Sequence, residues 1–532
     1  YMLFSNERYV IIMMKNVEKT MNQYLEEKFA EYADNTAMIY PEQNVSYTFK
    51  EMSDKVNSIA KGLIKIGVKK ETHVSLLAPT CPEWILFFLA TTKLGGIPVC
   101  LNDKNTIPEI KSLVEHSDST VLVTSKETLG SVYDTSLFDN LDKVIFLEET
   151  VSIDNRITDA ITLEELGKEV SDETLDAYVA KTSPEDCLMF LYTSGTTGNP
   201  KAVMLGQSRI LNNVLTFIDN FGYNENDTIL SALPLFHVMG CLYTGMLIFM
   251  VGGTLILTKK FSTRKALEII QEHKCTSFHG VPTMYQFMLN YVENYDVTSL
   301  RKGMLAGAYC APEVVEDIQN RLHIENIFSC YGQSEGVGFT QIRMDDSNEK
   351  KRTTVGKAVD GVELKIVNDN GETLPTGEVG EILANMPGCM LGYYKNQEAT
   401  DATIVDGWIH TGDLGFLDAE GYLTIKGRKK ELIIRGGENI SPSEIEDVIR
   451  TYAMVHDVAV VGVPDKVLGE EIAAFIQMKP GANYIKEEVV EYISQCLPKF
   501  KTPKFVYMIE EFPMTSTGKI LKRKLVEMVT EP

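Results

Sequence analysis

Short apolar runs alternate with amphipathic segments over most of the first 330 residues. Residues 73–79 (HVSLLAP) and 97–102 (IPVCLN) have the composition of buried strands, and the proline-opened segment 82–95 between them has that of a helix. The alternation resumes in DTILSAL, GTLILTK, TSFHGV and GMLAGAY, with helical segments such as TRKALEIIQEHK between them. Strands that alternate with helices predict parallel sheets covered by helices, which is an α/β fold.

The pattern changes twice in the second half of the chain. From about residue 353 to residue 427, glycine turns such as DNG and AEG separate short apolar runs, which predicts a mostly antiparallel region. Near residue 431 the segment ENISPSEIEDVIR combines Ser441 as a helix cap, Pro442 at the first helical position and Glu444 at the third, which is a capping box. The following strand-like and helix-like runs predict a small α/β domain of about 100 residues.

Composition indicates a soluble globular protein with an acidic charge balance. The 532 residues are 44% hydrophobic and 23% charged, and the formal net charge is −23. This length is enough for about three or four domain-sized units. The acidic balance argues against a nucleic-acid or membrane-surface partner, because those partners require a basic face. An anionic ligand would therefore have to meet locally assembled positive charge.

Cysteine usage and the apolar segments bear on the compartment. Nine scattered cysteines without a C-x-x-C pair predict free thiols, neither a disulfide framework nor a zinc site. Glu7, Arg8 and Lys15 interrupt the apolar N-terminus, so no secretory leader is expected. Residues 241–257 lack charge but are shorter than the roughly 20 residues of a membrane span, so a buried helix followed by a strand is expected. Together these features predict a cytoplasmic protein without a transmembrane segment.

A segment rich in hydroxyls and glycine, YTSGTTGNPKAVML at residues 192–205, follows a strand-like run. Gly195 and Gly198 allow the backbone to turn its amides inward, and Lys201 adds a positive charge, so the segment is suited to anionic oxygens. It does not fit the Walker pattern, and neither that pattern nor G-x-G-x-x-G occurs in the chain. On composition alone, a flexible surface loop stays open as the alternative.

Two further segments match catalytic patterns of hydrolases. GQSEG at 332–336 fits the G-x-S-x-G nucleophile elbow with Ser334 as nucleophile, but the glycine- and β-rich GVGFTQI follows where an elbow needs a helix. STGK at 516–519 fits S-x-x-K, but the accompanying K-T-G and S-D-N are absent, so this interpretation is dropped. A serine hydrolase remains as a remote alternative.

Four motifs occur in order along the chain, namely YTSGTTGNPK, YGQSEG, GWIHTGDLG with GRKKELI, and TSTGKILKRKL. In this order they resemble the motifs of the adenylate-forming superfamily of acyl-CoA synthetases, nonribosomal-peptide adenylation domains and beetle luciferases. GYYKNQEAT, GGENISPSEIE and VPDKVLGEE look most like acyl-CoA synthetases of the fatty-acyl and aryl type. The resemblance implies that ATP and a carboxylic acid form an acyl-adenylate and pyrophosphate, with Mg²⁺, and that the acyl group then passes to coenzyme A.

The resemblance also implies a domain organisation. Residues 1–429 would form a large AMP-binding domain of two parallel-sheet subdomains plus a small antiparallel β-barrel subdomain at about 353–427. Residues 430–532 would form a small, mobile α+β domain. Lys430 lies in a cluster of cations bracketed by glycines and matches the family's hinge position, about which the small domain rotates between the two half-reactions.

The nucleotide site implied by the resemblance must bring anions together, which requires cations and directed amides. Residues 193–201 would bind the β- and γ-phosphates, and Glu335 would coordinate Mg²⁺, a hard cation suited to oxygen ligands. Tyr331 would lie against the adenine, and Asp413 would accept hydrogen bonds from the ribose hydroxyls. The full implied set is Thr193, Ser194, Gly195, Thr196, Thr197, Gly198, Lys201, Gly307, Ala308, Tyr331, Gly332, Gln333, Ser334, Glu335, Asp413 and Arg428.

Lys519 opens a basic segment, GKILKRK, which on charge alone could be a solvated tail. By the resemblance, Lys519 reaches the α-phosphate and the carboxylate, a role that suits a point charge on a flexible stem. After rotation of the small domain, the loop of Arg435, Gly436 and Gly437 would replace Lys519 and line the route of the thiol.

The acyl pocket is implied with less detail. His237 would gate it, and the lining suits a medium or long acyl tail or an aryl acid, although these apolar residues could equally belong to the core. At the position of Tyr309 the family more often has proline or a small residue, and at that of Cys310 it more often has leucine. The family's chain-length rule therefore does not carry over to this sequence. The implied lining residues are His237, Val238, Met239, Met284, Phe287 and Tyr309.

Other functions stay open at this point. A stand-alone adenylation enzyme that loads a carrier protein shares the first half-reaction, and a luciferase-like oxygenase is remote. A silent nucleotide sensor would not need both Glu335 and Lys519, and a serine hydrolase would act through Ser334. The expected partners are the small molecules ATP, coenzyme A and a carboxylic acid, with a homodimer as an open expectation.

Overall fold

The computed structural model describes residues 17–129, 139–150, 155–193, 200–308, 310–386, 389–479, 481–482, 485–514 and 520–530. Their contacts form two compact units. The first comprises the described residues up to 363 together with 385–409, and the second comprises 364–384 together with the described residues from 410 onward. The expected domain boundary between residues 429 and 430 lies inside the second unit and stays a prediction.

The secondary structure is assigned as follows. The α-helices are α1 (Met21–Glu31), α2 (Phe49–Lys65), α3 (Pro82–Lys93), α4 (Ile107–His116), α5 (Lys126–Leu129), α6 (Ala160–Gly167), α7 (Asp172–Val179), α8 (Gln207–Phe221), α9 (Val238–Gly240), α10 (Leu247–Met250), α11 (Thr263–His273), α12 (Pro282–Leu289), α13 (Pro312–Arg321), α14 (Asn348–Thr353), α15 (Gln397–Thr403), α16 (Pro442–Arg450), α17 (Lys486–Cys496) and α18 (Lys522–Thr530). The strands are β1 (Thr36–Tyr40), β2 (Val45–Thr48), β3 (His73–Leu77), β4 (Ile97–Cys100), β5 (Val121–Thr124), β6 (Lys143–Phe146), β7 (Ile157–Asp159), β8 (Cys187–Thr193), β9 (Lys201–Gly206), β10 (Thr228–Ser231), β11 (Thr254–Leu257), β12 (Ser277–Gly280), β13 (Lys302–Leu305), β14 (Asn326–Tyr331), β15 (Thr340–Gln341), β16 (Lys357–Ala358), β17 (Glu363–Val367), β18 (Gly380–Asn385), β19 (Gly392–Tyr393), β20 (Ile404–Val405), β21 (Trp408–Leu417), β22 (Leu423–Arg428), β23 (Ile433–Arg435), β24 (Glu438–Ile440), β25 (Val455–Asp465), β26 (Gly469–Met478) and β27 (Phe505–Met508).

One sheet of the first unit has the strand order β19-β9-β8-β4-β3-β5-β6-β7. Strands β3 to β8 run parallel, and β9 and β19 are added antiparallel. The expected strands at 73–79 and 97–102 are β3 and β4, and the expected helix between them is α3, which Pro82 opens. Every residue of β4 and β5 is buried, because a parallel sheet carries helices on its faces.

The other sheet of the first unit has the order β16-β15-β14-β13-β12-β10-β11-β1-β2. The six central strands β14, β13, β12, β10, β11 and β1 are parallel. Strand β2 pairs antiparallel with β1 at one edge, and β15 and β16 pair antiparallel at the other. Leu230, Phe278 and Ile327 of its strands pack with Leu267 and Ile318 of helices α11 and α13 in one core cluster. The two parallel sheets confirm the α/β prediction.

The apolar stretch 241–257 forms a buried π-helical segment (Cys241–Met246) that continues into α10 and is followed by β11. This confirms the expected helix and strand. Within the described ranges, no helix combines the length and the apolar character needed to cross a bilayer.

The second unit contains an antiparallel sheet and a mixed sheet. Strands β17, β18 and β21 pair in that order and β22 pairs with β21, as the glycine turns predicted. Gly371 and Gly421 hold φ angles of 81° and 85° in the DNG and AEG turns, a region that L-residues rarely adopt. The C-terminal sheet has the order β24-β23-β26-β25, with β27 parallel to β26, and its helices α16 and α17 make it the expected α+β assembly.

One local expectation was wrong. Ser441 caps α16 and Pro442 begins it, but the Ser441 hydroxyl donates to the Lys426 carbonyl at 2.8 Å, so no capping box forms. Glu444 is instead paired with Lys501. The apolar run that begins at Gly303 contains β13 as expected, and the strand ends at Leu305, two residues before Gly307 with its φ of 90°.

Candidate functional site

Several implied ligand residues follow the carboxyl ends of adjacent parallel strands. Strands β10, β12, β13 and β14 are consecutive neighbours in their sheet. His237 lies in the segment after β10, Met284 is in the helix that follows β12, Gly307 and Ala308 follow β13, and Tyr331 ends β14. In open α/β sheets ligands bind outside the carboxyl ends of the strands, so this edge is the candidate site.

The segment YGQSEGVGF ends β14 with Tyr331 and connects it to β15 through a turn at residues 332–339. The Val337 amide donates to the Gln333 carbonyl at 2.6 Å, and the Phe339 amide donates to the Tyr331 carbonyl at 2.8 Å. A Cβ atom on Gly332 would lie 1.6 Å from the Val337 carbonyl oxygen, so only glycine fits. Because a strand and not a helix follows the turn, Ser334 does not stand in a nucleophile elbow.

The turn leaves its polar residues accessible. Gly332 is exposed, and Gln333, Ser334 and Glu335 are half-buried. Tyr331 is buried, and its ring centroid lies 5.5 Å from that of Phe339. The turn therefore offers backbone and side-chain polar groups next to one buried aromatic ring.

Glu335, Tyr393 and Lys201 come together from distant parts of the chain. The buried Tyr393 hydroxyl donates to Glu335 Oε1 at 2.7 Å, and Lys201 Nζ lies 4.8 Å from the Tyr393 ring centroid. Pairing of β19 with β9 positions Tyr393, and Lys201 opens β9 opposite Thr193 at the end of β8. Burial raises the pKa of Tyr393, and the Glu335 carboxylate raises it further, so the phenol remains a donor. The structure thus joins the β8–β9 hairpin of one sheet to the carboxyl edge of the other.

Glu335 has the properties of a magnesium ligand. The Met390 amide fixes its backbone by donating to the Glu335 carbonyl at 2.7 Å, and Tyr393 bonds to Oε1, which leaves Oε2 for a metal. No group of three or more His, Cys, Asp or Glu side chains in the described part of the chain could hold a metal ion. A single carboxylate fits Mg²⁺, because this ion usually retains waters and is bound through one or two carboxylates plus substrate phosphates.

Asp413 and Arg428 lie opposite each other on β21 and β22 in the second unit. Arg428 Nε is 3.3 Å from Asp413 Oδ1. Asp413 is buried, and its amide donates to the Thr411 hydroxyl at 3.1 Å, whereas the Arg428 side chain is half-exposed. Their proximity agrees with the implied cooperation of the two side chains, and their contact with a ribose stays a prediction.

Lys430 lies in a short 3-10 turn directly after β22 and is exposed. The preceding Lys429 is tied to the antiparallel sheet, because its Nζ lies 2.9 Å from Asp369 Oδ1 and 3.1 Å from Glu381 Oε2. The hydrogen bond with Asp369 raises the pKa of Lys429. An anchored residue followed by an exposed one at an element boundary is where a hinge would bend, and the hinge motion stays a prediction.

Arg435, Gly436 and Gly437 form the tip of the β23–β24 hairpin. The two glycines have φ angles of 62° and 91°, and the Gly436 amide donates to the Leu468 carbonyl at 2.8 Å. Arg435 makes a bidentate contact with Glu471, from Nε to Oε2 at 2.8 Å and from Nη2 to Oε1 at 3.0 Å. This contact raises the pKa of Arg435 and holds the pKa of Glu471 below its usual value. In this structure Arg435 therefore braces the loop.

Replacing Arg435 with glutamine should destabilise the protein by about 1.5–3 kcal/mol, because the buried Glu471 carboxylate loses its bidentate charged donor and keeps Lys504, whose Nζ lies 3.7 Å from Oε1, as its charged partner. Glu471 has a lowered pKa in the folded state, so the pair stabilises at neutral pH and its contribution declines as acid protonates the carboxylate. Urea unfolding should show a difference from the wild type at neutral pH that shrinks at low pH. Lys50→Gln, which breaks the exposed pair with Asp54, should leave stability unchanged, and an equal loss there would contradict the account.

The implied acyl segment is well defined at its start. His237 precedes α9, and His237, Val238 and Met239 are half-buried, whereas the residues from Gly240 to Met246 are buried. A Cβ atom on Gly240 would lie 2.3 Å from the Pro234 carbonyl oxygen, so the helix packs directly against the PLFH turn. On α12, Met284 packs against the core and Phe287 is 46% exposed.

Some implied site residues lie outside the described residues. They are Ser194, Gly195, Thr196, Thr197, Gly198, Tyr309 and Lys519. Conversely, Tyr393 was not among the residues predicted from the sequence. It belongs to the GYYKNQEAT motif, but nothing in the pattern of that motif reveals a contact with Glu335.

Comparison with protein families gives two matches. The model of the AMP-binding enzymes matches residues 25–394, and that of the AMP-binding enzyme C-terminal domain matches residues 444–519. Among curated proteins, the Bacillus subtilis (strain 168) protein YngI, named provisionally as an acyl-CoA synthetase, is 34% identical over 541 residues and covers 98% of each chain. The medium-chain acyl-CoA ligase ACSF2 of Danio rerio is 32% identical over 532 residues, covering 96% of this chain and 88% of its own.

Solved structures with the same fold include two aryl-CoA ligases. The anthranilate CoA ligase AuaEII, in complex with anthranoyl-AMP, has a TM-score of 0.87 at 25% identity and covers 97% of this chain and 98% of its own. A benzoate CoA ligase from Burkholderia xenovorans LB400 has a TM-score of 0.83 at 25% identity, covering 96% of this chain and 100% of its own.

Proposed function

The chain belongs to the AMP-binding enzymes, and on that premise we propose that it is an acyl-CoA synthetase for a medium-chain or aryl carboxylic acid. ATP and the acid react to an acyl-adenylate and pyrophosphate, and coenzyme A then takes the acyl group and releases AMP. The observation that carries the proposal is the contact of Tyr393 with both Glu335 and Lys201, which brings a carboxylate and a cation to one place.

The side chains contribute positioning and charge to the first half-reaction. Lys201 and the segment that begins at Thr193 would bind the terminal phosphates, and Tyr393 holds the Glu335 carboxylate, which would bind the metal. Glu335 would hold Mg²⁺, which would supply positive charge to the phosphates. Asp413 binds the ribose and Lys519 contacts the α-phosphate and the acid, so that attack of one anion on another becomes feasible.

The class of acid is supported by two independent observations. Curated relatives include enzymes named medium-chain acyl-CoA ligases, and structural relatives include anthranilate and benzoate CoA ligases. The half-buried segment with Val238 and Met239 and the exposed Phe287 supply apolar surface near the carboxyl edge of the sheet. Apolar surface suits an acid with a hydrocarbon or aryl tail.

The second half-reaction requires the thiol to reach the adenylate. We assign residues 430–532 to a domain that turns at Lys430, after which the loop of Gly436 and Gly437 lines the route of the thiol. The cluster of Lys429 with Asp369 and Glu381 anchors the fixed side of this joint. The cytoplasmic location and the homodimer stay predictions.

A panel of carboxylic acids tests the function and the acid class together. The protein is incubated with ATP, Mg²⁺, coenzyme A and each of a series of straight-chain and aryl acids, and AMP and acyl-CoA are measured. We expect stoichiometric AMP and acyl-CoA with at least one medium-chain or aryl acid. Adenylate formation without acyl-CoA would identify a carrier-protein loader, and no AMP with any acid would contradict the proposal.

A further inference from the structure

A chain of buried hydrogen bonds links the second sheet to the implied acyl segment. The Tyr223 hydroxyl lies 2.7 Å from Ser277 Oγ and 2.8 Å from His279 Nε2. On the other side of the imidazole, His279 Nδ1 lies 2.9 Å from the Thr244 hydroxyl, which donates to the Met239 carbonyl at 2.8 Å. Ser277, His279 and Thr244 are completely buried, and Tyr223 is nearly so.

The donors and acceptors of this chain can be arranged in one direction. The Thr244 hydrogen goes to the Met239 carbonyl, so His279 Nδ1 must donate to the Thr244 oxygen. His279 Nε2 then accepts from Tyr223, whose oxygen accepts from Ser277. Burial lowers the pKa of His279 to about 3, which keeps the ring neutral, as this arrangement requires. Every polar atom named here has a partner, so removal of one hydroxyl leaves a buried group unpaired.

At its other end, Tyr223, the hydrogen-bond series contacts a buried ion pair. Lys302 Nζ lies 4.6 Å from the Tyr223 ring centroid and 2.9 Å from Asp227 Oδ2. Asp227 is buried and is also bonded to Arg301 at 2.8 Å. The ion pair therefore fixes the position of the Tyr223 ring, and the hydrogen bonds through His279 connect Tyr223 to Thr244.

The hydrogen-bond series ends at the start of the helical segment that carries the implied pocket residues. Thr244 lies in the π-helical segment, and its bond to Met239 spans the junction between α9 and that segment. π-helical segments inside helices occur frequently at functional sites. His237, Val238 and Met239 are half-buried just before this junction, and the Met239 carbonyl is the acceptor that links this segment to Thr244.

We propose that Thr244 and His279 are positioning residues that set the shape of the acyl pocket by holding the segment from His237 to Met239, and so determine which acid the enzyme prefers. This inference rests on the proposed function. The residues act through the backbone of the segment and touch neither ATP nor the acid.

The experiment compares two substitutions of the same buried residue. Thr244→Val removes the hydroxyl and keeps the shape of the side chain, whereas Thr244→Ser keeps the hydroxyl. For each variant, kcat/KM is measured for a short and a long acid of the straight-chain series. Ser75→Ala is the matched control, because it removes a buried hydroxyl that bonds to Ser119 at 2.8 Å in the other sheet.

We expect Thr244→Val to change the ratio of kcat/KM between the two acids by about 10-fold or more, because small changes in an apolar pocket discriminate by such factors. Thr244→Ser and Ser75→Ala should keep the wild-type ratio. An unchanged ratio in Thr244→Val, or the same fall in activity for every acid, would overturn the inference. If Thr244→Val does not fold, Tyr223→Phe, which removes the preceding donor, decides by the same criterion.

Failure of the inference and failure of the proposed function give different results. If the wild-type protein forms acyl-CoA but Thr244→Val leaves the ratio unchanged, this inference alone is wrong. If the wild-type protein forms no acyl-CoA from any acid, both are wrong.

Discussion

Replacing Lys519 with alanine should slow acyl-adenylate formation by about 10²–10³-fold, the usual effect of losing one well-placed charge contact in a transition state. Conversion of chemically supplied acyl-adenylate and coenzyme A to thioester should stay near normal, because the charge is needed only while the carboxylate attacks ATP. The two half-reactions are assayed separately, with thermal unfolding as the measure of folding.

The described residues next to Lys519 make this test specific. Met514 pairs with Ile520 in an antiparallel bridge, and Lys522 contacts Glu446 at 2.9 Å and Glu431 at 3.3 Å, so both flanks of the segment are anchored without Lys519. Lys524→Ala is the control, because Lys524 is an exposed cation of the same basic segment. If both half-reactions collapse at unchanged stability, Lys519 is not specific to adenylation. If neither changes, the segment is only a solvated basic tail.

Gly332→Ala should lower the rate of adenylate formation by about 10²-fold or more. The new Cβ would lie 1.6 Å from the Val337 carbonyl oxygen, so the turn has to open. Tyr331 and Glu335 lie on either side of this point and would move, and a displacement of about 1 Å in a catalytic group can cost 10²-fold.

The matched control for Gly332→Ala is Gly206→Ala. Gly206 has an ordinary extended backbone, and the closest atoms to a Cβ there are at 3.4 Å, which is normal contact. We expect near wild-type rates for this variant in a single-turnover measurement of acyl-adenylate. Equal rates for the two variants would contradict the assigned role of the turn.

Much of the fold could be predicted because its signals are local. Strands β3 and β4 and helix α3 were expected from the apolar runs and from Pro82, and the DNG turn from its glycine. The predicted capping box at Ser441 does not form because of a tertiary contact: the Ser441 hydroxyl donates to the Lys426 carbonyl of β22 and makes no hydrogen bond to its own helix. A local pattern cannot reveal a competing acceptor from another element.

In the candidate site, the residues of local motifs could be predicted, but contacts between residues far apart in the sequence could not. Glu335 and Asp413 were identified through motifs, and the structure brings Asp413 to the expected Arg428. The link from Glu335 to Tyr393, and that from Thr244 to His279, join residues far apart in sequence. They depend on which strands are neighbours in the sheets, and a single sequence contains no direct signal for strand order.

The most direct test of the central claim is exchange of labelled pyrophosphate into ATP without coenzyme A. If the protein forms an acyl-adenylate, exchange should require Mg²⁺ and the acid preferred in the panel, and it should fall sharply in the Lys519→Ala variant. Exchange that does not depend on the acid, or release of ADP and phosphate in place of AMP and pyrophosphate, would contradict the account.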